Sequence, residues 1–202
     1  MEKKENQRIQ LTKRMLQEGL LQLLQTKPLD GITVTELCRV SGINRATFYR
    51  HYKTIHDVQV DLERDFIKHA SPSNRQPRNL SEAKKMLEGT CSYIYEHAET
   101  AKLLFLCSTD EDMTRRTNEL FQSFVELHKN EPTITDMDRE SLRMIFSFMS
   151  GGGYNLLRQW ILEDVPKTPQ EITDILFNII YSIAQSSEGH NTSRAVLSSN
   201  GR

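Results

Sequence analysis

The side chains best suited to chemistry in this chain lie close together. Asn44, Arg45, Thr47, Tyr49, Arg50 and His51 fall within one short stretch, with Ala46 among them, and none is acidic. On one helix face, such amide, guanidinium, hydroxyl and imidazole groups hydrogen-bond phosphate oxygens and base edges, and a B-form major groove admits one helix. Arginine suits guanine through paired donors, while Thr and Tyr suit phosphate or the thymine methyl group. The competing reading is a solvated face of some other small bundle. A solvated face usually mixes charge signs, as the preceding helix does with Glu36 and Arg39; this one does not.

Several elements must hold that face in place. Thr33-Val-Thr-Glu36 reads as a capping box opening a helix over about 33–40. Ser41-Gly42 is a turn that calls for positive φ or a close helix approach. Asn44 caps a second helix, about 44–51, with Ile43 just before it as a staple. Val34, Leu37 and Val40 mark one inward face, and Ile43, Phe48 and Tyr52 another. Two short helices meeting at a glycine turn, over Thr33 to Tyr52, have the form of a helix-turn-helix. A helix over 8–26, striped by Leu16, Leu20, Leu23 and Leu24 and stopped by Lys27-Pro28-Leu29-Asp30-Gly31, is long enough to cover both faces. Thr54-Ile-His-Asp57 opens a fourth helix, to about His69. Thr33 and Lys53, at the two ends of the motif, complete the candidate DNA-binding set. Charge agrees: residues 1–55 hold ten Lys/Arg against five acids, and the remainder holds 16 against 22.

Residues 70–79 are polar and rich in helix breakers, which predicts a loop between modules. Helical periodicity then predicts elements near 80–97, 99–107, 112–129, 136–163 and 169–186, with a loop around Glu131-Pro132-Thr133 and a disordered tail over 187–202. The chain therefore reads as all-α, with a DNA-binding domain over 1–69 and a helical effector-binding and dimerisation domain over 80–186. Inward-facing candidates in the second domain are Met86, Leu87, Cys91, Ile94, Leu104, Phe105, Phe121 and Phe124, read as core before pocket lining. Ile172, Ile175, Leu176, Ile179, Ile180 and Ile183 stripe the last helix. Gly151-Gly152-Gly153 interrupts the one before it, at roughly 1 kcal/mol each against alanine. Close approach of another helix, from the same chain or a partner, would offset that cost. These two helices are expected to pair with their symmetry mates, making a homodimer whose reading helices sit about 34–36 Å apart, as a palindromic operator requires.

No nucleophile elbow, P-loop, HExxH or dinucleotide-binding glycine pattern is present, and His51, His56 and His69 lack i, i+4 metal spacing, so neither enzyme chemistry nor a metal or cofactor is expected. No apolar run reaches membrane length, and no signal peptide is visible. Cys38, Cys91 and Cys107, scattered and odd in number, suggest a reducing, cytoplasmic setting, and read as buried thiols rather than redox sensors.

The stretch ITVTELCRVSGINRATFYRHYKTIHDV resembles the DNA-binding module of the TetR/AcrR family of bacterial regulators, and INRATFYRHYK resembles the subgroup common in Firmicutes. The likeness covers about residues 8–69. A weaker one joins FSFMSGGGYNLLRQWILEDVPKTPQEITDIL to the family's last two helices. The resemblance implies an all-helical fold with a three-helix helix-turn-helix module and a larger C-terminal module, and a homodimer. It also implies a regulator that usually represses and usually answers to a small ligand. It puts base reading on Asn44, Arg45, Ala46, Thr47, Tyr49, Arg50 and His51, with Tyr49 on phosphate. Many members carry a lysine at the start of the following helix, where this chain has Ile55; Lys53, His56 or backbone N–H groups are the available substitutes. Lys3, Lys4 and Arg8 read equally as a flexible minor-groove arm or as an untethered basic N-terminus that aids solubility. The alternative role is a helix-turn-helix co-activator working through a protein partner.

Overall fold

A computed structural model describes residues 2–71, 79–127 and 138–182. Among these residues the regular structure is helical, with no strand. The helices are α1 (Glu2–Leu24), α2 (Val34–Ser41), α3 (Arg45–His51), α4 (Ile55–Ala70), α5 (Leu80–Glu96), α6 (Ala98–Cys107), α7 (Asp110–Leu127), α8 (Arg139–Leu162) and α9 (169–182). A short 3-10 turn, Leu29–Gly31, follows α1. The expected Glu131-Pro132-Thr133 loop, the tail over 187–202 and Ile183 lie outside the described residues, as does the side chain of Phe124.

Packing divides the chain into two compact units, Met1–Pro72 with His97–Thr109, and Ser73–Glu96 with Asp110–Arg202. The first is built on the α1 leucine stripe. Leu16, Leu20, Leu23 and Leu24 are buried with Leu37, Phe48, Tyr52, Val58 and Leu62. Gly42 adopts φ 67° and ψ 20°, the left-handed conformation that a side chain disfavours, and Ile43 N–H returns to the Cys38 carbonyl at 3.0 Å. Gly19, mid-helix in α1, serves contact instead: a Cβ there would overlap Ser41 Oγ and lie 3.3 Å from Leu37 Cδ1. It marks a close approach of α1 to α2.

The sequence placed 99–107 with the second domain, yet α6 packs within the first unit. Leu104 is buried in the same core as Leu16 and Leu20, and Leu103 and Cys107 pack against it. Ser108 Oγ, just past the end of α6, donates to Glu63 of α4 at 2.6 Å. Leu104 is therefore core of the first unit, not interior of the effector module.

In the second unit Cys91, Ile94, Phe121, Leu142, Trp160, Ile161, Ile172 and Leu176 are buried, while Met86, Leu87 and Ile175 are half-buried. Trp160 stacks on Tyr95 at 5.5 Å, and its Nε1 donates to the Lys167 carbonyl at 2.9 Å, closing the α8–α9 turn. Thr168 and Glu171 cap the start of α9 reciprocally. The glycine run departs from expectation within the chain. Among the described residues, nothing lies within 4 Å of where a Cβ of Gly151 or Gly152 would be, and Gly153 meets Leu176 at 3.9 Å. No helix among the described residues uses that gap.

Replacing a helical glycine by a better helix former ordinarily stabilises. At Gly19 the contact with α2 reverses the sign. Gly19→Val is expected to lower unfolding free energy by about 1–3 kcal/mol in urea titrations, the usual cost of overpacking.

Candidate nucleic-acid interface

Helix α3 has seven residues, too few to be stable alone, so its surroundings must hold it. At its start, Asn44 Oδ1 accepts from Thr47 N–H at 2.7 Å. Phe48, fully buried, is its central anchor, with Tyr52 buried at its end. Arg45, Ala46, Tyr49 and Arg50, at i, i+1, i+4 and i+5, form one exposed strip. Tyr49 is 52% exposed and meets Phe48 edge-on at 5.3 Å. Thr47 and His51 flank the strip and are half-buried.

The predicted residues thus separate by employment. Arg45, Ala46, Tyr49 and Arg50 are displayed on α3, and Lys53 is exposed just beyond it. Asn44 and Thr33 are exposed but act as caps, Thr33 Oγ1 accepting from Glu36 N–H at 3.2 Å. Glu36 itself is drawn to Lys27, 2.6 Å away, so the predicted Thr33–Glu36 box is closed on the Thr33 side alone in the described bonds. The full capping box is at α4. Thr54 Oγ1 accepts from Asp57 N–H, while Asp57 Oδ2 accepts from both Thr54 and Lys53 N–H at 2.8 Å. Those N–H groups are therefore already used inside the protein. Ile55, where the family often has lysine, is half-buried against the core.

Sequence reasoning missed the group behind α3. Asp61 Oδ2 accepts from the Tyr52 hydroxyl at 2.6 Å and from Lys13 Nζ at 2.8 Å, and Arg64 lies 3.3 Å from Oδ1. Lys13 Nζ also sits 5.3 Å from the Tyr52 ring centroid. One turn on, Gln17 donates to Asp65 at 2.8 Å. Lys13 and Gln17 are four apart on α1, as Asp61 and Asp65 are on α4, and matched i, i+4 polar pairs were the available signal. Burial pushes the Asp61 carboxyl up, but the Lys13 and Tyr52 hydrogen bonds and the Lys13 and Arg64 charges outweigh it and hold it below the usual range. Burial and the Asp61 bond drive the Tyr52 phenol far above its ordinary value.

The three cysteines are free thiols, Cys38 and Cys91 buried and Cys107 half-buried. Burial, with the Glu63 and Asp30 charges, pushes the Cys107 thiol up to about 11, and burial also raises Cys38 and Cys91. No helix among the described residues is long and apolar enough to cross a membrane.

Residues 81–182 match the TetR-class family described as "Transcriptional regulator C-terminal region". The chain is 35% identical over 174 residues to the uncharacterized HTH-type transcriptional regulator YxbF of Bacillus subtilis (strain 168), covering 82% of this chain and 43% of that protein. It thus spans less than half of that relative's length. Among solved structures, a TetR transcriptional regulator from Streptococcus agalactiae 2603V superposes with a TM-score of 0.62 at 19% identity, over 89% of this chain and 99% of that one. The dihydroxyacetone kinase operon activator DhaS superposes with a TM-score of 0.54 at 13% identity, over 85% and 94%. At these identities the structures establish the fold.

His51 offers a local test of the electrostatics. Burial, then the charges of Arg50 on its own helix and Lys13 on α1, lower its pKa from 6.5. As pH falls through 6.5 the unfolded chain therefore binds this proton before the folded one, and stability declines from there downward. In an NMR titration His51 should protonate below 6.5, and Arg50→Gln should move its midpoint back up.

Proposed function

The chain belongs to the TetR family of transcriptional regulators, whose members are not enzymes, and on that premise we propose a sequence-specific DNA-binding repressor released by a small-molecule effector. The observation that carries the DNA-binding part is the α3 strip. Arg45, Tyr49 and Arg50 stand exposed and acid-free on a helix pinned at both ends. In this reading Arg45 and Arg50 reach base edges or phosphates, Tyr49 meets phosphate, and Ala46 lets the helix approach the groove floor. Thr47 and His51 contact DNA from the flanks. Lys53 neutralises phosphate beside the α4 start. Thr33 and Asn44 act first as caps, their remaining polar atoms facing the backbone.

DNA reading is assigned to residues 1–69, and effector binding and dimerisation to 80–186, with α6 packed in the first unit. Support for a homodimer is the apolar surface left uncovered on the second unit. On α8, Met144 and Phe148 are 67% and 72% exposed, and Gly152 continues their line one turn on. On α9, Ile179, Ile180 and Tyr181 are exposed. A patch of this kind normally meets a partner, and open space beside Gly151 and Gly152 leaves room for one. Two copies would present two α3 helices to a palindromic operator in cytoplasmic DNA. For the effector, the α7–α8 contact offers polar groups, with Arg116 5.0 Å from the Tyr154 ring centroid and Ser150 3.3 Å from Thr117.

Selection of bound duplexes from a random pool, using full-length protein, tests the reading. A palindrome should emerge, bound with a salt slope of roughly −0.9 per phosphate neutralised. Arg45→Ala should weaken it by roughly 1–3 kcal/mol and relax one base position. A reporter driven through the selected site should be silenced by the protein. Absence of enrichment, or a monomer by light scattering at micromolar concentration, would reject it.

A further inference from the structure

We propose that Asp61 is a positioning residue for DNA reading, fixing the pitch of α3 through Tyr52 and Lys13; this rests on the DNA-binding reading above. Three elements converge on its carboxylate. Lys13 comes from α1, Tyr52 is the residue at which the chain leaves α3, and Arg64 lies on α4 itself. The tightest two bonds share one oxygen, at 2.6 and 2.8 Å. Moving the end of α3 relative to α1 or α4 must break at least one of them.

Two neighbours on α4 extend the hold. Asp57, one turn before, grips the Lys53 and Thr54 backbone N–H groups, and Asp65, one turn after, takes Gln17. Together they form a ladder at i, i+4 and i+8 down the α4 face turned to α1 and the α3 exit. Half-buried ion pairs of this kind add little net stability, because desolvation offsets attraction. Their contribution is geometric. A short helix resting on Phe48 alone could still roll about that contact, and the hydroxyl of Tyr52 is the handle that prevents it.

This arrangement also reassigns Lys13. By charge count it belongs to the basic head that would meet phosphate. In the structure its ammonium is spent on Asp61 and lies over the Tyr52 ring. Lys13 therefore acts on α3 rather than on DNA.

The test uses full-length protein, the selected operator and an unrelated duplex, across a salt series, with circular dichroism to confirm folding. Tyr52→Phe keeps the buried ring and removes only the hydroxyl; Lys13→Met removes the charge and Lys13→Arg restores it. Tyr52→Phe and Lys13→Met should each lower the operator-to-unrelated affinity ratio by roughly the value of one base contact, about 5- to 150-fold. Their salt slopes should not change, and Lys13→Arg should recover most of the ratio. A ratio unmoved in folded Tyr52→Phe would overturn the proposal, since the clamp would then only stabilise. So would a Lys13→Met slope reduced by about 0.9 with equal loss on both duplexes, the signature of a direct phosphate contact. Wild-type protein that fails to discriminate the duplexes would instead sink the DNA-binding reading itself.

Discussion

A helix of seven residues has too few internal hydrogen bonds to sustain itself, and α3 is such a helix. Its direction is decided by what grips its two ends. At the entry, the left-handed Gly42 ends α2 and the Asn44 cap accepts the Thr47 N–H of α3. At the exit, Tyr52 sits in extended geometry and is held by Asp61, while the Thr54–Asp57 box starts the next helix at once. Phe48 supplies the buried contact between the ends. The exposed strip of Arg45, Tyr49 and Arg50 takes its direction from these contacts.

The same logic explains the arrangement of charge. Residues 1–55 carry an excess of bases, yet not every base is displayed. Lys27 is drawn to Glu36 and Lys13 to Asp61, each within 3 Å. Asp57, Asp61 and Asp65 of α4 bond to the α3 exit and to α1, where they organise the fold, and the α3 strip keeps no acid. Counting charges finds the basic end of the chain. Locating the carboxylates shows which bases are available to an outside anion.

Local features were legible in the sequence and distant ones were not. Thr33, Gly42, Asn44 and Thr54 announce themselves because a cap or a left-handed turn is settled within four residues. The leucine stripe of α1 and the α3 face followed from period alone. The Asp61 group joins residues 48 apart, so the i, i+4 spacing on each helix hints at a polar face without saying which helix it meets. Gly19 carries no local signal, because the Ser41 and Leu37 it meets lie on another helix. The membership of α6 in the first unit was hidden for a related reason: Leu104 looks equally apolar whichever core receives it. The glycine run of α8 stands out in the sequence, but the open space beside Gly151 and Gly152 among the described residues does not.

The first unit is discontinuous, since it needs His97–Thr109 as well as Met1–Pro72. During synthesis the chain must therefore extend through α5 and α6 before the core around Leu16 and Leu20 is complete. Until Leu104 arrives, part of that leucine surface stays wet, and Glu63 waits for Ser108, 45 residues later. Closing so long a loop costs entropy that only the finished core returns. The helix-turn-helix is thus made before the segment that completes the core beneath it. An aborted chain ending near residue 72 would carry the α3 strip without the helix that completes the hydrophobic base beneath it.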